Sequence, residues 1–157
     1  MSTNKTNGNQ FARETGFKGL SLVKAQLEKR GASVDKEEGP MNLLNVRSAD
    51  GARVYTIRTK TKGPTSSVWQ ISSKEGRKPE DPVEENEYWV LVDLPIESEP
   101  IYYIIPGTWF RRDIYREHMS YIELHGGERP VTPGSTHHGV NLSRVSEFEN
   151  RWDLMQL

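Results

Sequence analysis

The chain has no cysteine, which excludes disulfides and thiolate metal sites. No apolar run is long enough to cross a bilayer as a helix. There is no phosphate loop, dinucleotide fingerprint or nucleophile elbow, and Gly126-Gly127 lacks the strand before it and the helix after it that such motifs need. The first ten residues are polar and rich in Asn and Thr. They lack both the apolar segment of a secretory signal and the Arg-rich pattern of a transit peptide, so residues 1–12 are expected to form a flexible polar leader and the protein to be cytoplasmic. The net charge of −1 favours no class of partner. Internal repeats and domain boundaries are also missing, and 157 residues suit one domain, expected over residues 13–157.

What is present is an uneven distribution of charge. Arg47, Arg53, Arg58, Lys60, Lys62, Lys74, Arg77 and Lys78 face only Asp50 and Glu75 within residues 47–78. Residues 79–99 carry Glu80, Asp81, Glu84, Glu85, Glu87, Asp93, Glu97 and Glu99 with no Lys or Arg. This pattern suits either a polarised binding surface or an acidic solvated loop that neutralises nearby positive charge.

Phe17, Leu20, Val23 and Leu27 recur at helical spacing ahead of Gly31, predicting a helix over about 13–30. Extended segments follow at 32–36 and 41–47, then a turn at Ser48-Ala49-Asp50-Gly51 and a strand over 53–60. Alternation places Val54, Thr56, Arg58 and Lys60 on one face, and Tyr55, Ile57 and Thr59 on the other. Val68 to Ser72 is extended, and 74–86 reads as a charged loop. The apolar runs 88–94 and 101–105 read as buried strands. Thr108 would cap a helix to about Leu124, residues 126–139 read as a Gly/Pro-rich loop, and Ser146 with Glu149 has the spacing of a capping box for a short last helix. The order predicts a single α/β domain with a mixed sheet flanked by helices.

Several pieces of this order resemble the PD-(D/E)XK nuclease superfamily, the restriction-endonuclease-like fold, and within it the Holliday-junction-resolvase-like branches. They are the helix with Gly19, Leu27 and Gly31-Ala32-Ser33-Val34, the strand Met41-Asn42-Leu43-Leu44-Asn45-Val46, and the strand end Arg58-Thr59-Lys60-Thr61. Trp69, Val90-Leu91-Val92 and Ile104-Ile105-Pro106 are similar to later parts of the pattern. The resemblance implies a nucleic-acid partner, DNA first. In an active member it also implies Mg²⁺ or Mn²⁺ held by carboxylates, with a lysine assisting. The acid positions are altered here: Asn42 stands for the first aspartate, Arg58 for the glutamate and Leu20 for a helix glutamate, and only Lys60 is kept. Two unit charges about 4 Å apart interact by roughly 4 kcal/mol at an effective dielectric near 20, so Arg58 opposes a divalent cation there.

The resulting expectation is a catalytically degenerate, nucleic-acid-binding domain with no metal or cofactor. Arg58, Lys60 and Lys62 would contact phosphate and Arg53 would extend the contact. Alternatively, Arg58 pairs with an acid such as Glu28 or lies exposed. A second reading is an active nuclease using Lys60, with ligands relocated to Glu28, Asp35, Glu37, Glu38 or Asp50. A third is a protein-interaction or self-assembly module working through residues 80–87 or a strand edge. His118, His125, His137 and His138 offer a zinc site only if they converge, and a partly buried structural role is the expectation for His118. Arg111, Arg112 and Arg116 would extend a basic surface or form the solvated side of their helix. Trp89, Tyr102, Tyr103 and Trp109 read as core.

Overall fold

The computed structural model describes residues 3–36, 42–124, 126 and 137–157. Helix α1 (Thr3–Lys29) ends where Gly31 takes a positive φ of 95°. The Gly31 amide donates to the Glu28 carbonyl and the Ala32 amide to that of Leu27, the two bonds of a Schellman motif. The chain then forms a meander of β1 (Ser33–Lys36), β2 (Leu43–Arg47) and β3 (Val54–Lys62), each antiparallel to the next. The β2–β3 turn closes because the Asp50 carboxylate accepts from the Ser48 hydroxyl at 2.6 Å and the Ala52 amide at 2.9 Å, while Gly51 supplies a φ of 73°.

From β3 the chain passes through β4 (Val68–Ser72) and a 3₁₀ turn (Ser73–Glu75) before β5 (Glu87–Asp93) returns parallel to β3. Strand β6 (Ile101–Pro106) pairs antiparallel to β5, completing a mixed sheet in the order β1-β2-β3-β5-β6. Helix α2 (Gly107–Leu124) follows, and β7 (His137–Asn141) pairs with β4 in a separate two-stranded sheet. A short α3 (Leu142–Val145) and two 3₁₀ turns (Ser146–Phe148 and Trp152–Leu154) end the chain.

The alternation expected in β3 is present, and it sorts the core into two layers. Tyr55 and Ile57, with Val90, Val92, Tyr102 and Ile104, pack under Leu20, Val23 and Leu27 of α1 and under Trp152 and Met155. Trp89, Leu91, Tyr103 and Ile105 pack on the other side against Phe110 and Ile114 of α2 and Trp69 and Ile71 of β4. Strand β5 is therefore covered on both faces, which explains its continuous apolar run. The result is a single α/β domain, a mixed five-stranded sheet flanked by helices. No helix among the described residues is long and apolar enough to cross a membrane.

Three segments differ from expectation. The helix begins at Thr3, so residues 3–12, expected as a flexible leader, continue α1. Once the packed turns exist, each added residue gains a backbone hydrogen bond without a new nucleation cost. Strand β7 begins inside the expected loop 126–139, because β4 offers a pairing partner from Val68 to Ser72. The expected capping box is also absent: Glu149 ends the Ser146–Phe148 turn and bridges to Tyr103. Asn150 takes a φ of 55° and donates its amide to the Tyr102 carbonyl at 2.7 Å. Pairing with the edge of β6 thus replaces a helical turn and covers that edge.

Gly19 is where α1 meets β3, since a Cβ there would overlap the Thr61 hydroxyl oxygen and Cβ. We expect Gly19→Ala to lower stability by about 1–3 kcal/mol in urea titration, and Gly19→Ala with Thr61→Ala to recover most of the loss. A stabilising Gly19→Ala, as at an open helical site, would refute the close approach.

Candidate nucleic-acid interface

Strand β3 carries three cations on one face, and parallel pairing with β5 determines what each one meets. Arg58 lies opposite Trp89, Lys60 opposite Leu91, and Lys62 opposite Asp93. Glu87, two residues before Trp89, is on the same face and only 4% exposed. The β5 strand therefore supplies a carboxylate beside Arg58 and another beside Lys62, and an apolar side chain beside Lys60.

Glu87 is the centre of a buried polar cluster. Its Oε1 accepts from Arg111 Nε at 2.7 Å and Trp89 Nε1 at 3.1 Å, and its Oε2 from Arg111 Nη2 at 3.0 Å and Arg58 Nε at 3.3 Å. Arg111 Nη1 reaches a Glu75 carboxylate oxygen at 2.7 Å. Two carboxylates thus offset two guanidinium groups in a low-dielectric setting. Burial pushes the Glu87 carboxyl up, but the hydrogen bond and charge of Arg111, with Trp89 and Arg58, outweigh it and hold it below its ordinary value. Burial likewise pushes Arg111 down, and Glu87 and Glu75 reverse that. Gly107, at the start of α2, is pressed so close that a Cβ would lie 2.6 Å from Glu87 Oε1.

The expected phosphate-binding residues separate on this geometry. Arg58 pairs with Glu87 rather than Glu28, which joins Lys24 at 3.8 Å. Only the Nε of Arg58 is engaged, and its two terminal nitrogens make no hydrogen bond among the described residues. Lys62 is held by Asp93 at 3.1 Å, donates to the Ser66 carbonyl at 3.3 Å and lies 4.9 Å from the Trp69 ring centre. Arg53 is not brought to the others. It precedes β3 at the hairpin end, roughly 23 Å of extended chain from Lys60 at about 3.3 Å per residue. Lys60 makes no hydrogen bond or ion pair among the described residues.

Lys60 lines a cleft of about 290 Å³ together with Ala12, Arg13 and Gly16 of α1 and Asn42, Thr59 and Thr61 of the sheet. The cleft opens where β2 stops and β3 continues: the Asn42 carbonyl accepts from the Thr59 amide at 2.9 Å, and the β2–β3 ladder begins at Leu43–Arg58. Arg13 is exposed. No carboxylate lines the cleft among the described residues. Asn42 and Lys60 both line this cleft, whereas Leu20 lies in the core.

No family model, curated protein or solved structure matches this chain, so the site rests on its own chemistry.

Of the acids considered as relocated ligands, Asp35 sits on edge strand β1 opposite Asn45, and Asp50 is committed to the hairpin turn. Glu37 and Glu38 lie outside the described residues. Arg111 is not part of a basic surface or a solvated helix side, as it is buried on Glu87, whereas Arg112 and Arg116 are exposed. His118 and His138 line a separate cavity of about 470 Å³ beside Arg144, which binds the buried Asp113 at 2.7 Å and His138 Nε2 at 2.8 Å. His125 lies outside the described residues, and no group of three or more His, Asp or Glu among those described is placed to hold a metal.

Sequence reasoning overlooked Arg13 and Glu87. Arg13 and Gly16 continue the stripe of the buried Leu20, Val23 and Leu27 at spacings of three and four, and Glu87 shares the strand parity of Trp89 and Leu91. We expect Glu87→Gln to cost about 3–5 kcal/mol by leaving Arg111 uncompensated. Because the Glu87 carboxyl is depressed, its contribution is complete above its ordinary value of 4.5 and fades as pH falls through the lower folded value. Denaturant titrations from pH 7 to 3 should therefore show the wild type approaching the variant at the acid end. A constant gap would contradict this role.

Proposed function

We propose that this chain is a cytoplasmic nucleic-acid-binding domain, with DNA the first polymer to test, built on an endonuclease-like scaffold that has lost catalysis. One observation carries the reading: Lys60, on the strand face it shares with Arg58, makes no hydrogen bond or ion pair among the described residues, and no described carboxylate lines the cleft it borders. Such a cleft repels metal ions and attracts phosphate oxygens. Arg58, whose two terminal nitrogens make no hydrogen bond among the described residues, adds a second contact along the same strand face. Lys62 contributes little, because Asp93 already offsets its charge.

The competing reading of an active nuclease needs a carboxylate able to turn towards a metal near Lys60. Glu87 shares that strand face, but both of its oxygens accept from Arg111. Releasing it would leave a buried guanidinium unpaired.

The test is fluorescence anisotropy of a labelled DNA oligonucleotide between about 50 and 200 mM salt. Lys60→Ala should weaken binding and reduce the salt slope by about one, whereas Lys62→Ala should leave the slope nearly unchanged. DNA incubated with the protein and Mn²⁺ should remain intact. No binding at low salt would remove the proposal, and Mn²⁺-dependent cleavage cancelled by Lys60→Ala would replace it with the active-nuclease reading.

A further inference from the structure

We infer that His138 is an acid-sensitive latch: its neutral ring holds the start of β7 to α2 through Arg144, and a second proton on the ring releases it. The latch is independent of the nucleic-acid cleft. Alternation along β7 puts His138 on the same side as the fully buried Val140, and across the ladder it stands opposite the buried Ile71. Its ring therefore faces inward. Arg144 of α3 meets it there, with Nη1 2.8 Å from His138 Nε2. The same guanidinium donates through Nε and Nη2 to one oxygen of Asp113 at 3.2 and 2.7 Å, and its Nη1 also reaches the Gly139 carbonyl at 3.3 Å. Three elements thus meet on one side chain: α2 through Asp113, α3 through Arg144, and β7 through His138 and Gly139.

A guanidinium only donates, so His138 Nε2 must offer its lone pair, and the neutral ring then carries its proton on Nδ1. With both nitrogens protonated, the ring turns an N–H and a positive charge toward Arg144, and the contact is lost. The described surroundings do not offset that charge. On α2, Asp113 is only 4% exposed, but it already accepts from Arg116 and Arg144, each at 2.7 Å. Glu117 borders the same cavity and is exposed, where water and salt screen it. His118 can add only positive charge, and Tyr121 brings a hydroxyl. On β4, Gln70 and Ser72 flank Ile71 and carry no charge, and Arg144 is the only charged residue of α3. The stability added by this contact is therefore complete above the ordinary histidine value of about 6.5 and is lost as pH falls below it. Release frees the strand end that borders the cavity of about 470 Å³ lined by α2, β7 and α3.

Amide hydrogen exchange of the full chain at pH 7.5 and 5.5, corrected for the intrinsic rates, tests the latch. Protection over residues 68–72 and 137–141 should fall by about tenfold, the ratio for a proton taken up only in the released state with a value near 6.5. His138→Gln keeps a neutral acceptor for Arg144 and does not titrate, so its protection should change by less than about twofold. A thermal melt at pH 7.5 checks that the variant folds. In the wild type, ¹⁵N spectra of the imidazole should show His138 still singly protonated, on Nδ1, at about pH 6, where an ordinary histidine is mostly charged. A doubly protonated ring at that pH, protection that does not change with pH, or an equal loss in the wild type and His138→Gln would each overturn the inference.

Discussion

The buried contact between Glu87 and Arg111 is the constraint on which the rest of this architecture depends. It joins the first residue of β5 to the first turn of α2, and through Glu75 it draws in the turn that follows β4. Arg58 of β3 leans on the same carboxylate. Four segments distant in sequence therefore share one polar centre inside an otherwise apolar layer of Trp89, Phe110 and Ile114. Removing either partner leaves a charge in that layer, while keeping both costs desolvation that their hydrogen bonds offset. The close approach of Gly107 shows how little room is left around it.

That centre also decides which cations on β3 remain available. The strand presents Arg58, Lys60 and Lys62 at every second position, and on sequence alone they are equivalent. Parallel pairing with β5 makes them unequal, since Glu87 and Asp93 offset the outer two and Leu91 faces the middle one. Lys60 and Arg13 both border the cleft that opens beyond the end of β2. The acidic character of residues 79–99 thus acts partly from within the sheet, through Glu87 and Asp93, and not only as a solvated loop.

Much of the fold was legible in the sequence because period and punctuation agree there. The stripe of Leu20, Val23 and Leu27 ending at Gly31, the turn at Asp50-Gly51 and the alternation in β3 each combine a hydrophobic period with a residue suited to stop it. The missed features were those decided by contact between distant segments. Strand β7 exists because β4 pairs with it, and the tail is extended at Asn150 because Tyr102 accepts its amide. The site divides in the same way. Lys60 is visible in the sequence as a strand cation, but the commitment of Arg58 to Glu87 needs the β3–β5 register, and the arrival of Arg13 at the cleft needs the path of α1 over β3.

The most direct test of this division of labour is a ¹H–¹⁵N titration of the protein with a DNA oligonucleotide, observing backbone amides together with the Trp89 indole and Arg111 Nε–H signals. The account requires shifts at residues 12–16 and 59–61, with the Trp89 indole, which donates to Glu87 at 3.1 Å, left in place. Shifts centred on Trp89 and Arg111, with the cleft unchanged, would contradict it by showing that the buried cluster itself opens to the ligand.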